Sequence, residues 1–137
     1  MPTPILGQHA SITRAFSEQD VKDFARLSGD HNPIHLDPEF AKNTVFGQRI
    51  VHGVLVSSLF SNLLAEKTPG KGSIYLGQTF KFKKPVFFDQ TVTARVEVIN
   101  VREDKPIVTM STVCRNEAGE ELISGEAVLM FDSTVEG

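Results

Sequence analysis

Apolar residues recur along this chain with two different periods, and the change of period divides it. Val21, Phe24, Ala25 and Leu27 fall at the spacing of one helical face. Ser17-Glu18-Gln19-Asp20 ahead of them offers an N-cap serine and an acidic first turn, and Ser28-Gly29 offers a stop, so a first amphipathic helix is predicted over 17–28. Asp37-Pro38-Glu39 reads as another start, an N-cap followed by proline at the first helical position. The stretch between is predicted to be a loop, because the residue before Pro33 is pushed toward extended geometry. From 51 to 65, Val51, Val54, Leu55, Val56, Leu59, Phe60, Leu63 and Leu64 spread around the whole helical wheel, which predicts a helix buried on every side.

Beyond Thr68-Pro69-Gly70-Lys71-Gly72 the pattern turns to β-branched and aromatic runs. Strands are predicted over 73–84, 90–102, 106–116 and 121–131, with a short first strand near 8–15. The joints at 103–106 and 116–120 are compact enough for hairpins, so the sheet of about five strands should be antiparallel. An apolar helix and a long antiparallel sheet bury one another when the sheet curls around the helix, which makes the fold class α+β.

At 137 residues, with no internal repeat or linker, the chain is read as a single domain over 1–137. A net charge of -3 gives no general attraction to nucleic acid or to an anionic membrane. Cys114 is the only cysteine, so no disulfide forms within the chain, and a reducing compartment fits. The first residues lack the cationic region and apolar run of a secretory signal, and the 51–65 helix is too short to span a bilayer. A cytoplasmic protein without a membrane partner is expected.

The chemistry lies in Asp30-His31-Asn32-Pro33-Ile34-His35. On a continuous helix Asp30 and His35 would diverge by about 140°. Pro33 forbids that helix, and a bent loop can instead bring a carboxylate and an imidazole to one point, as holding and deprotonating a single water requires. Blander roles stand beside this one. Asp30 alone would serve as a turn former, His35 as a satisfied loop histidine, Asn32 as a tie for its own loop, and Asp37 as an N-cap. His31 and His35 with Asp30 or Asp37 would make a metal set, but no cysteine cluster or further histidine supports one and no metal is expected.

With its flanks, the segment resembles the hydratase motif of the MaoC-like family. Phe24-Ala25-Arg26-Leu27-Ser28-Gly29-Asp30-His31-Asn32-Pro33-Ile34-His35, then Ala41 after five more residues, matches it at every position. The resemblance continues through Ile50-Val51-His52-Gly53-Val54-Leu55, through 69–78 and through Gly125-Glu126-Ala127. It implies a hot-dog fold, dimerised through its sheets, with an extra helical segment between the first strand and the central helix carrying the catalytic loop. It implies that Asp30 and His35 are the water-activating dyad and that the Gly53 backbone N–H binds the thioester carbonyl. A helix N-terminus offers free N–H groups and a positive dipole end where enolate charge develops, so that last role also stands on physical grounds.

Ser57 and Ser61 follow Gly53 at intervals of four, a small-residue stripe that either lets the sheet approach or floors an acyl tunnel. Relatives place the Ser61 position at the substrate pocket, and Ser57 and Asn32 are grouped with it as substrate-binding residues. His52 beside Gly53 reads as structural, the alternative being that it orients the loop or the adenine portion of the ligand. Lys81 and Lys83 alternate with Phe80 and Phe82, so the rings should face the core and the amines solvent.

The activity implied is (R)-specific hydration of a trans-2-enoyl-CoA to the (R)-3-hydroxyacyl-CoA, without a cofactor, in a homodimer that leads β-oxidation intermediates toward polyhydroxyalkanoate. The same chemistry on acyl-carrier protein, as a 3-hydroxyacyl-thioester dehydratase, is the alternative. Hot-dog thioesterases typically carry an acidic residue on the central helix, and there is none between Val51 and Leu64. A non-catalytic acyl-binding domain would be expected to lack one dyad member.

Overall fold

The computed structural model describes residues 2–132 and 134. The elements run β1 (His9–Arg14), α1 (Glu18–Ser28), α2 (Pro33–Leu36), α3 (Pro38–Lys42), α4 (Gly53–Glu66), β2 (Ile74–Gln78), β3 (Lys81–Phe82), β4 (Val92–Val101), β5 (Ile107–Asn116) and β6 (Glu121–Met130). One antiparallel sheet has the order β1-β4-β5-β6-β2, with β3 also on β6. Its middle follows from period-2 patterning: Val92, Ala94, Val96 and Val98 of β4, and Val108, Met110, Thr112 and Cys114 of β5, turn inward and are buried. All of these except Thr112 meet Val56, Leu59, Phe60, Leu63 and Leu64 of α4 in one apolar cluster, so the sheet wraps the helix as its pattern requires. Burial pushes the Cys114 thiol up to about 11, which suits an inert core residue. No helix of the described residues is long and apolar enough to cross a membrane.

The first helix keeps its predicted limits because its start is doubly tied. Ser17 Oγ accepts from the Asp20 N–H at 3.1 Å, and Asp20 Oδ2 accepts from the Ser17 N–H at 2.9 Å.

Four expectations change. The run over 73–84 is two strands, which brings the sheet to six, because β2 slips register on β6 between Tyr75 and Gly77 and the chain then crosses over Gly125. A Cβ at Gly125 would lie 1.8 Å from the Thr79 carbonyl oxygen, so the crossing needs glycine beneath it. Pro33, read as part of a loop, instead opens the single turn α2, with the Asn32 side chain accepting from the Ile34 N–H. The central helix is not buried all round: Val54 is 61% exposed, because the sheet of one chain covers only the Val56–Phe60–Leu63 side. The Phe80–Phe82 alternation also fails in part. Phe80 stacks on Phe60, with ring centroids 6.0 Å apart, but Phe82 is exposed and lies over the start of α4.

Candidate active site

The segment between α1 and α4 carries the candidate site, and local hydrogen bonds shape it. Helix α1 stops because Gly29 takes a left-handed φ of 80°, with its N–H on the Ala25 carbonyl. The Asp30 N–H then donates to Ser28 Oγ at 3.1 Å, the Asn32 N–H to Asp30 Oδ1 at 3.2 Å, and the Ile34 N–H to Asn32 Oδ1 at 3.2 Å. These Asx-type bonds turn the chain between Asp30 and α2, so His35 comes back toward Asp30 instead of pointing away from it. Asp37 caps α3, accepting from the Glu39 N–H at 3.0 Å.

Asp30, His35 and His52 offer donor atoms that all lie within 4.8 Å of one another. Asp30 is exposed, whereas His35 and His52 are buried. His35 Nδ1 sits 2.8 Å from the Ile50 carbonyl oxygen. A carbonyl only accepts, so Nδ1 carries a proton, and in the neutral ring the lone pair is on Nε2, the tautomer of a general base. His52 Nε2 makes the equivalent bond to the Asp30 carbonyl at 3.0 Å. The rings of His35 and His52 stack at 3.8 Å with 25° between planes, and Phe24 meets His52 edge-on at 4.8 Å. Burial holds the His52 imidazole below its ordinary 6.5, against the opposing pull of its bond to the Asp30 carbonyl.

A cation at this cluster would find the Asp30 carboxylate and His35 Nε2, because His52 Nε2 is committed and His52 Nδ1 is enclosed. That pair suits a water better than a zinc ion, which takes at least three protein ligands. His31 stands apart, with Nδ1 3.1 Å from the Gly29 carbonyl.

Gly53 opens α4, and its N–H meets no acceptor among the described residues. The Phe82 ring closes over it, so near that a Cβ at Gly53 would come within 2.7 Å of two ring carbons. A cavity of about 380 Å³ beside Gly53 is lined by Phe46, Val54, Phe82 and Val86. A second, of about 440 Å³, is lined by Phe24, Ser57, Ser61, Tyr75 and Gln78. The serine stripe thus borders a cavity one ring, Phe24, away from the His52–His35 stack. Ser57 Oγ is turned back onto the Val54 carbonyl at 2.7 Å, whereas Ser61 lies on the exposed side. Asn32 Oδ1 is spent on capping α2. Lys83 and Lys84 pair with Glu121 and Glu120, as a solvated strand edge would.

Sequence reasoning named Asp30, His35 and Gly53 as site residues and gave His52 a structural reading; the structure puts the His52 ring on His35 and its Nε2 on the Asp30 carbonyl of the loop, contacts the spacing did not predict. The one available signal was an imidazole at the N-cap of a helix, a position that favours Ser, Thr, Asp or Asn.

Residues 4–118 match the family described as the MaoC like domain. An (R)-specific enoyl-CoA hydratase of Aeromonas caviae is 52% identical over 124 residues, spanning 90% of this chain and 92% of that protein. The solved structure of an (R)-hydratase from A. caviae involved in PHA biosynthesis superposes with a TM-score of 0.92 at 49% identity, covering 96% of this chain and all 100% of that one. A mitochondrial 3-hydroxyacyl-[acyl-carrier-protein] dehydratase of Solanum lycopersicum is 38% identical over 132 residues, 95% of this chain and 79% of its own length. A bent Asp30–His35 pair beside an uncapped helix start, on a sheet wrapped around that helix, therefore has both its motif and its relatives in one place: the chain belongs to the MaoC-like dehydratase family.

Proposed function

We propose that the chain is an (R)-specific enoyl-CoA hydratase, adding water to trans-2-enoyl-CoA to give (R)-3-hydroxyacyl-CoA. The observation that carries the roles is the bond at His35: the Ile50 carbonyl holds Nδ1–H, which leaves Nε2 as the basic nitrogen of the neutral ring, in a cluster whose His35 and Asp30 ligand atoms lie within 4.8 Å. A water between that nitrogen and the Asp30 carboxylate loses a proton as its oxygen bonds to C3. The π electrons move through C2 toward the thioester oxygen, where the Gly53 N–H and the positive end of α4 stabilise the charge. The proton then passes to C2 from the same side, leaving one O–H and one C–H where the water and the double bond were. No cofactor takes part.

The acyl tail is assigned to the cavity along Ser57 and Ser61. Val54, Leu76 and Phe82 are 61%, 52% and 52% exposed, and β2 leaves an open sheet edge beside them. A second copy of the chain would cover both, which supports a homodimer in which Val54 and Phe82, at the mouths of the cavities, meet the partner. In the cytoplasm the product would be a precursor for polyhydroxyalkanoate.

The test is loss of the conjugated-thioester absorbance with crotonyl-CoA, alongside thiol release and chiral analysis of the product. Hydration without thiol release, giving the (R)-alcohol, is expected; thiol release would make the protein a thioesterase, and no change would make it a binder. The likeness to the S. lycopersicum dehydratase supports a second reading, the same reaction on acyl-carrier protein. A higher kcat/KM for crotonyl-acyl-carrier protein than for crotonyl-CoA would favour it.

A further inference from the structure

His52 is only 2% exposed, its Nδ1 has no hydrogen-bond partner, and its side chain makes no cap bond to the helix it begins. A serine or aspartate there would turn inward onto the first N–H groups of α4. The imidazole turns outward instead and leaves those groups open beside Gly53. Its Nε2–H reaches back 22 residues to the Asp30 carbonyl, and its face lies on the His35 ring. A single side chain thus touches both dyad residues while standing next to the proposed carbonyl-binding N–H, and an enclosed, unpaired nitrogen is hard to explain by packing alone.

We propose that His52 is a positioning residue: its Nε2–H bond to the Asp30 carbonyl and its stack on His35 hold the dyad in register with the N-terminus of α4. The inference rests on the Asp30–His35 dyad proposed above. The acceptor carbonyl fixes the tautomer, with the proton on Nε2 and none on Nδ1. Asp30 and His31 from the loop and His35 from α2 are the titratable groups around the ring; burial first, then the two histidines, favour its neutral form, against the bond to the Asp30 carbonyl and the Asp30 carboxylate. A neutral ring also leaves His35 free to take the charge when it accepts the water proton.

Three variants separate positioning from packing. His52→Phe keeps a ring against His35 and Phe24 and removes the enclosed nitrogen, so its melting temperature should equal or exceed the parent's. It loses the tie to Asp30, and kcat should fall about a hundredfold, the cost of misplacing a reacting group by about 1 Å, with KM little changed. His52→Gln reaches the Nε2 position with an amide donor and should recover about tenfold of that loss. A His52→Phe protein with parental kcat, or a Gln variant no better than Phe, would overturn the proposal. Nitrogen NMR of the unsubstituted protein tests it without any variant. At about pH 8, where an imidazole is neutral, an Nε2–H tautomer is expected, and an Nδ1–H tautomer would overturn it. Asp30→Asn is assayed in parallel: full activity there would sink the dyad, whereas the NMR result and the Phe–Gln contrast report on His52 itself.

Discussion

The three long strands and the catalytic segment are held in opposite ways. β4, β5 and β6 pair along nearly their whole length, with Val96, Val98, Val108 and Met110 sealed between sheet and helix. The segment from Gly29 to Gly53 has two single-turn helices, side-chain bonds to its own backbone, and a narrow backbone attachment to the rest through Val51 N–H to Val86 O and the Ile50–Phe87 bridge. Burial is thus concentrated in one region and the proposed chemistry in the other, where Asp30 is exposed and free for the role proposed for it.

Substitutions can break or sharpen that division. The largest expected effect is at the dyad: Asp30→Asn and His35→Ala should each lower kcat about a hundredfold to ten-thousandfold, and the double variant little more, because one water needs both groups. Asp30→Asn, on the surface, should leave the melting temperature near the parent's; initial rates and thermal melts together make the check. Met110→Ala inverts the result. That side chain is fully buried in the middle of β5, and its loss should cost about 2–5 kcal/mol in denaturant titration, while kcat per folded molecule stays near the parental value. A large fall in kcat would mean that the sheet and the catalytic segment are tightly coupled.

Smaller effects probe the edges of each region. Ser61→Leu fills the cavity beyond the reacting carbons, and each methylene expelled forfeits about 0.8 kcal/mol, so two or three should lower kcat/KM for octenoyl-CoA relative to crotonyl-CoA by about tenfold or more. An unchanged ratio would place the acyl tail elsewhere. Least in size is the cap of α1: Ser17→Ala should cost about 1 kcal/mol with no change in kcat. The bond from the Ser17 N–H holds the Asp20 carboxyl below its ordinary 3.8. The stability Asp20 contributes is therefore present above that value and is lost as pH falls through the lower folded one, so an Asp20→Asn deficit should be full near neutrality and shrink in acid.

The regular region was the more legible in sequence, and for a physical reason. The alternation of Val92, Ala94, Val96 and Val98 and the Ser17–Asp20 box are local patterns, written by neighbours in the chain. Asp30 and His35 were legible because Pro33 bends the chain within the motif itself. His52 was not, since its partners lie 17 and 22 residues away and nothing in their spacing predicts a stack. The exposure of Val54 and Phe82 escaped for a related reason: apolar character tells that a side chain wants cover, not whether its own chain supplies it. Pro33 misled in a milder way, because the residue that ends one helix is also the best first residue of the next.

The crossing of Thr79 over Gly125 bears on how this protein can change. A methyl group at Gly125 would meet a backbone oxygen, not the end of a movable side chain, so no rotamer makes room for it. Position 125 is closed to variation, and so is the insertion of residues that would carry Thr79 past it. Phe82, by contrast, covers Gly53 from a strand of two residues and meets it with a ring that can swing. A library that fixes Gly125 and Phe80 and randomises only residue 82 would therefore sample new roofs over the proposed carbonyl-binding helix start while leaving the Phe80–Phe60 packing and the pairing of the sheet in place.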